Sequence, residues 1–220
     1  MKLFLIRHGA STGNTPGNLI GHSDHPLTPA GEAQARAVAA RLAPLGPMPV
    51  FCSDLPRARS TAGFVAETWT PPGTPADITP DPRLREIHLG DLEGRSWDEF
   101  VADTDLGARL EADPYNTALP NGESLGQLSE RVLAAVDDIV AAAGAGEPDS
   151  RAAICVVAHD GPIRAILNHV LGVPPQNWWT LSTTHGGLSL VEWTDGWVNV
   201  RFANDTSHLA GLADTAPGIL

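Results

Sequence analysis

Seven consecutive apolar residues, Ala152-Ala153-Ile154-Cys155-Val156-Val157-Ala158, run straight into His159-Asp160-Gly161. The run is far too short to cross a membrane and lacks the polar alternation of a half-exposed strand. It reads as a strand of a sheet covered on both faces. Residues 2–7 and Val50-Phe51-Cys52 are further short apolar runs of the same kind. Helical patterns lie between them. Thr28 caps a helix with Pro29 at its first position, predicted to run through Ala43 before the Pro/Gly break at 44–49. A second helix begins near Pro56 and continues to about Trp69. Ser124 and Gln127 have capping-box spacing, followed by Leu125, Leu128, Val132, Val136, Ile139 and Val140 at helical intervals. A fourth helix is predicted from Pro162 to the stop at Gly172 and Pro174.

Strands are expected over 186–193 and 197–203, separated by the hairpin signal Thr194-Asp195-Gly196. Segments 70–82 and 144–150, rich in turn formers, read as surface loops. Strands alternating with helices define the α/β class. The expectation is a three-layer α/β/α sandwich with a mostly parallel central sheet and an antiparallel edge strand, forming a single domain over residues 1–220. The edge strands would allow a homodimer.

The formal net charge of −12 excludes partners that require a positive surface field, namely nucleic acid and anionic membrane. It leaves room for an anionic small molecule in a locally basic pocket, which makes the placement of the few arginines informative. The apolar start of the chain is ended by Arg7-His8 and reads as a first strand rather than a leader. Cys52 and Cys155 sit in strand-like runs and are expected as free buried thiols, in keeping with a cytoplasmic location.

In sheets of this class, ligands bind beyond the carboxyl ends of the strands. Arg7-His8-Gly9 follows the first strand, Ser53 and Arg57 follow the second, and His159-Asp160-Gly161 follows the 152–158 strand. Two histidines and two arginines are thereby brought to one sheet edge. Phosphoryl transfer is the chemistry that wants this set. Guanidinium forks match phosphate oxygens, and imidazole is a competent nucleophile near neutral pH. His22-x-x-His25 lacks the partners that zinc spacing requires, so no metal site is expected. Trp178 and Trp179 read as packing residues or walls of the substrate pocket. His88 reads as a solvated loop residue and His185 as a residue near the pocket mouth.

The chain resembles the histidine phosphatase superfamily, in the branch typified by cofactor-dependent phosphoglycerate mutase and the alpha-ribazole phosphatases. The resemblance rests on Arg7-His8-Gly9 with Ser11 and Asn14, and on Asp24-x-Pro26-Leu27-Thr28 with Gly31 and Gln34. It continues through Ser53-Asp54-Leu55-x-Arg57-Ala58, Leu84-x-Glu86 with Gly90 and Glu93, and Gly122-Glu123-Ser124. His159-Asp160-Gly161-Pro162-Ile163-Arg164 and Asn204-Asp205-Thr206-x-His208-Leu209 complete it. It implies that His8 is the nucleophile and that Arg7, Arg57 and His159 hold the phosphoryl oxygens, with Ser11 and Asn14 adding hydrogen bonds. Glu86 is the implied general acid. Ala10 departs from the Glu or Gln common there, and Asp160 stands where glycine is common. The His159-Asp160 pair resembles the related acid-phosphatase branch, where a His-Asp pair supplies the proton donor, which implies Asp160 as a phosphate-site residue and the rival acid.

The expected activity is metal-independent hydrolysis of small phosphorylated metabolites, without a cofactor. Two alternatives stand beside it. One is cofactor-dependent phosphoglycerate mutase, disfavoured because segment 100–122 is short and acidic with Arg109 its only basic residue. The other is a catalytically silent binding protein on the same fold.

Overall fold

Strand β1 (Lys2–Arg7) is buried from Leu3 onward because it has neighbours on both sides. It pairs in parallel with β4 (Ala153–Ala158) and antiparallel with β5 (Leu188–Thr194). Strands β2 (Val50–Cys52) and β3 (Thr79–Pro80) extend the sheet beyond β4, and β6 (Trp197–Asp205) pairs antiparallel with β5. The computed structural model describes residues 1–14, 17–96, 99, 104–142, 152–194 and 197–212. Over these residues the sheet is six-stranded, in the order β3-β2-β4-β1-β5-β6, and β5 runs against its neighbours on both sides.

Successive side chains of a strand point to opposite faces, so β1 feeds two cores. Leu3 and Leu5 pack with Leu128 and Val132 of α4 (Leu125–Ala142) and Ile163 and Ile166 of α5 (Asp160–Leu171). Phe4 and Ile6 pack with Val38 and Leu42 of α1 (Pro29–Leu42) and Ala62 and Val65 of α2 (Pro56–Glu67). The result is the three-layer sandwich, mostly parallel. Cys52 and Cys155 are free thiols buried in the second core. A smaller cluster gathers Leu19, Leu89 and Leu92 with Leu106 of α3 (Thr104–Ala112).

The caps explain where the helices begin. Thr28 Oγ1 accepts the Gly31 N–H at 3.0 Å, and Ser124 and Gln127 satisfy each other's backbone N–H groups at 2.8 and 3.2 Å. Several boundaries differ from expectation. α1 ends at Leu42 in a 3₁₀ turn over Ala43–Leu45, and α2 ends at Glu67. α5 starts at Asp160, two residues before Pro162, because the third helical position, like the first, makes no intrahelical N–H bond and tolerates proline. The expected loop at 70–82 contains β3, where Pro80 sits on an edge strand, the position proline accepts. Helix α3 lies in a segment with no helical expectation. The predicted loop at 144–150 and the turn residues Asp195 and Gly196 lie outside the described residues. Among the described residues no helix is long and apolar enough to cross a membrane.

Leu5 has no exposed surface in the central strand. Leu5→Ala is expected to destabilise the fold by about 2–5 kcal/mol, read as a lower urea midpoint at unchanged m-value.

Candidate active site

Arg7 lies opposite Ala158 in the β1–β4 ladder, so the chain leaves both strands at the same level and His8 and His159 emerge side by side. Their ring centroids are 4.9 Å apart. His8 Nδ1 is 2.7 Å from the Gly9 carbonyl, an acceptor only, so Nδ1 carries the proton and Nε2 keeps its lone pair. Arg57 Nε donates to that Nε2 at 3.3 Å. Burial, then the nearby His159, Arg57, His185 and Arg7, push His8 well below the ordinary imidazole range. The ring is neutral at pH 7.

The other nitrogens of Arg57 donate to the carbonyls of Ser23 (2.9 Å) and Gly21 (2.7 Å). Glu93 shapes that loop by accepting from the backbone N–H groups of Gly21, His22 and Ser23 at 2.9, 3.1 and 3.1 Å, and from the Ser23 hydroxyl. Although burial acts to raise the Glu93 carboxyl, these bonds hold it below its ordinary value. Ser53 Oγ accepts the Leu55 N–H at 3.3 Å and lies 2.8 Å from His159 Nε2. If its hydroxyl proton goes to Nε2, His159 carries its own proton on Nδ1.

Arg7 donates to the Thr183 carbonyl at 2.5 Å and lies 3.8 Å from Asp160 Oδ1. Asp160 is fully engaged: Oδ2 accepts from Arg164 Nε at 2.5 Å, and Oδ1 accepts from Thr183 Oγ1 at 2.7 Å and Thr183 N at 3.3 Å. The same loop carries His185, buried with its ring centroid 5.4 Å from His8. Burial, then Arg7 and Arg57, lower His185 to a pKa of about 3. Asn204 holds the loop by accepting the Thr184 N–H at 2.7 Å, and His208 Nε2 donates to the Gly186 carbonyl at 2.8 Å.

Glu86 is buried, with Oε1 accepting the N–H groups of Ile87 (2.9 Å) and Gly161 (3.2 Å). Gly161 lies so close that a Cβ there would collide with Oε1; only glycine lets this carboxyl rest on the first turn of α5. Arg131 fixes the approaching backbone, donating to the carbonyls of Arg83, Arg85 and Glu86 at 2.7, 2.8 and 2.8 Å and to Glu123 at 2.7 Å. His22 Nε2 donates to the Glu86 carbonyl at 2.8 Å, so its ring serves backbone structure. Burial and the neighbouring Asp160 raise the Glu86 carboxyl above its ordinary value, against the backbone bonds and Arg7.

His8, Arg7, Arg57, His159, Glu86 and Asp160 therefore lie in one connected cluster. Ser11, which is buried, and the exposed Asn14 bond each other: Asn14 Oδ1 accepts from Ser11 Oγ (2.7 Å) and Ser11 N (2.8 Å), which closes the turn after Ala10. His185 is deeper than a place at the pocket mouth, and Thr183 and Arg131 were not anticipated. Arg131 had no readable signal, since an arginine within a helix ordinarily reads as a solvated face. Buried polar atoms are normally paired, yet Arg7 Nε, His159 Nδ1 and His185 Nε2 are buried with no hydrogen-bond partner among the described residues. All three belong to groups around His8. Such a set suits an oxyanion with several acceptor oxygens. Among the described residues no group of three or more His, Cys, Asp or Glu side chains is arranged to hold a metal ion.

The family model described as the histidine phosphatase superfamily (branch 1) matches residues 3–206. The chain belongs to this superfamily. It is 34% identical over 216 residues, 95% of each chain, to the "Probable phosphoglycerate mutase GpmB" of Enterobacter sp. (strain 638). Among solved structures it resembles Bacillus stearothermophilus YhfR, with a TM-score of 0.81 and 28% identity over 94% of this chain and 98% of that one. It also resembles the alpha-ribazole phosphatase of Shigella flexneri, with a TM-score of 0.77 and 26% identity over 93% and 96% of the two chains. A mycobacterial glucosyl-3-phosphoglycerate phosphatase gives a TM-score of 0.79 and 29% identity over 93% and 99%.

The buried imidazoles link stability to pH. Unfolded, they take up protons below about pH 6.5; folded, His8, His159 and His185 are held neutral. Their contribution is fully present above that pH and is lost as pH falls towards the lowered folded-state values. Glu86, raised on folding, opposes this with a contribution lost as pH rises, but it is one group against three. The urea midpoint in phosphate-free buffer is expected to be lower at pH 5.5 than at pH 7.5, with a smaller difference in His185→Gln.

Proposed function

We propose that this chain hydrolyses phosphate monoesters through a phosphohistidine on His8. The observation that carries the reading is the neutral, buried His8, its proton fixed on Nδ1 and its Nε2 lone pair set against Arg57 among buried nitrogens that have no partner among the described residues. When the ester enters, Arg57 Nε–H shifts from Nε2 to a phosphoryl oxygen, joined by Arg7, His159 and His185. Nε2 then attacks phosphorus in line as the bond to the ester oxygen breaks. Preorganised donors of this kind supply the main stabilisation of a phosphoryl-transfer transition state. The cations of Arg7 and Arg57 carry the phosphoryl charge, so the step requires no metal.

Glu86 gives its proton to the leaving oxygen. In the second step the same carboxylate takes a proton from water as the water oxygen attacks phosphorus, releasing phosphate and restoring His8. Asp160 is the weaker candidate for this acid, because both of its oxygens are already held by Arg164 and Thr183. It instead anchors the loop that carries His185.

The name of the Enterobacter relative favours a second reading, mutase activity, in which the phosphoryl group returns to a second hydroxyl of glycerate. That reaction must grip a carboxylate. The wall beyond Glu86 has no cationic side chain among the described residues, which favours water as the acceptor.

Mass spectrometry of acid-sensitive, base-stable phosphoenzyme after rapid quench is expected to locate the phosphoryl group on His8, with His8→Ala giving neither phosphoenzyme nor turnover. EDTA is expected to leave the rate unchanged. Absence of phosphohistidine in an enzyme that turns over would overturn the proposal. Glu86→Gln is expected to lower kcat/KM for an alkyl phosphate by about 10²–10⁴-fold and for a p-nitrophenyl ester far less, while removing the alkaline fall in activity. Asp160→Asn should show no such dependence on leaving group.

A further inference from the structure

Resting on the phosphomonoesterase reading, we infer that the leaving group is a bulky apolar alcohol or aryl group bearing no second anionic charge. A cavity of about 350 Å³ opens where Glu86, Asp160 and Gly161 meet. It thus begins at the group that would protonate the leaving oxygen, and whatever departs from phosphorus must sit in it. Leu19, Leu89, Leu110, Leu119, Trp178 and Trp179 form its walls, drawn from the smaller hydrophobic cluster and from the segment after α5. Such a volume fits a small organic group, at the lower end of ligand pockets.

The charges on the wall define what is refused. Its ionisable side chains are Glu86, Glu111, Glu123 and Asp160; among the described residues it has no lysine, arginine or histidine. Glu123 and Asp160 already hold Arg131 and Arg164, so those cations are spent on the protein's own carboxylates. A leaving group with a carboxylate would lose its water and find no free cation on this wall to replace it. A polyhydroxylated one would exchange water for leucine and tryptophan surfaces that return few hydrogen bonds. Apolar groups gain on both counts.

The test is a series of primary alkyl phosphates, ethyl, butyl and hexyl, which share nearly the same leaving-group basicity, with glycerol 3-phosphate and 3-phosphoglycerate as polar comparators. kcat/KM is expected to rise about fourfold per methylene, with both comparators at or below ethyl phosphate. Gly107 of α3 borders the cavity, and a Cβ there meets nothing within 4 Å, so Gly107→Leu narrows the space without straining the helix. It should cost the hexyl ester tenfold or more and leave the ethyl ester within twofold. A flat or falling series with His8-dependent turnover, or Gly107→Leu affecting all esters alike or none, overturns this inference and leaves the hydrolytic reading intact. Failure to turn over any ester overturns the hydrolytic reading itself.

Discussion

The parallel register of β1 against β4, with Arg7 opposite Ala158, is the constraint on which the candidate site depends. A slip of one residue would turn every side chain of β1 to the other face and exchange its two cores. With the register fixed, the flanking strands add their parts at the same edge. β2 ends opposite Val157 and delivers Ser53 to His159 and Arg57, one turn later, to His8. The reversal of β5 has a role here as well. Because it runs against β1, its beginning coincides with the end of β1, so the loop before it brings Thr183 and His185 to the same place.

How the buried cations are partnered separates two kinds of arginine. Arg57 donates to the carbonyls of Ser23 and Gly21, and Arg7 to that of Thr183, which fixes both groups through neutral acceptors while leaving most of the positive charge uncancelled and Arg7 Nε without a partner among the described residues. Burial lowers both guanidinium groups, yet they remain charged at any ordinary pH. Arg131 and Arg164 instead meet carboxylates directly. On the proposed function, the first kind keeps a positive field for the incoming ester; the second kind builds the frame. Taking out a frame arginine would leave a buried carboxylate uncompensated, a larger disturbance than the pair's own net worth.

Much of this was legible because strands and helices here have clean patterns. The apolar runs of β1 and β4, the Thr28 cap and the Ser124–Gln127 box all appear where the residues place them. The motif residues at strand ends led directly to His8, Arg57 and His159. What stayed hidden had little local signal. β3 is two residues long and contains a proline, and it exists only because β2 offers a free edge. α3 carries Gly107, and its large apolar residues are Leu106 and Leu110 alone, so its helicity depends on contacts such as that of Leu106 with the Leu19 cluster. The early start of α5 was masked by Pro162, and with it the exposed Gly161 N–H on which Glu86 rests. Arg131 acts on backbone more than forty residues away, a relation that only the fold creates.

The neutral state of His8, His159 and His185 has a thermodynamic corollary. Burial and the arginines keep protons off these rings, but a phosphate dianion placed among them reverses part of that field. Anion binding and proton uptake are then one coupled event, and by reciprocity acid strengthens retention of the anion. Inorganic phosphate bound beside a protonated His8 is held by an additional charge yet faces a ring with no lone pair to offer. On the proposed mechanism, the burial that leaves His8 Nε2 its lone pair in the open site therefore makes the acid-side complex with phosphate a resting form.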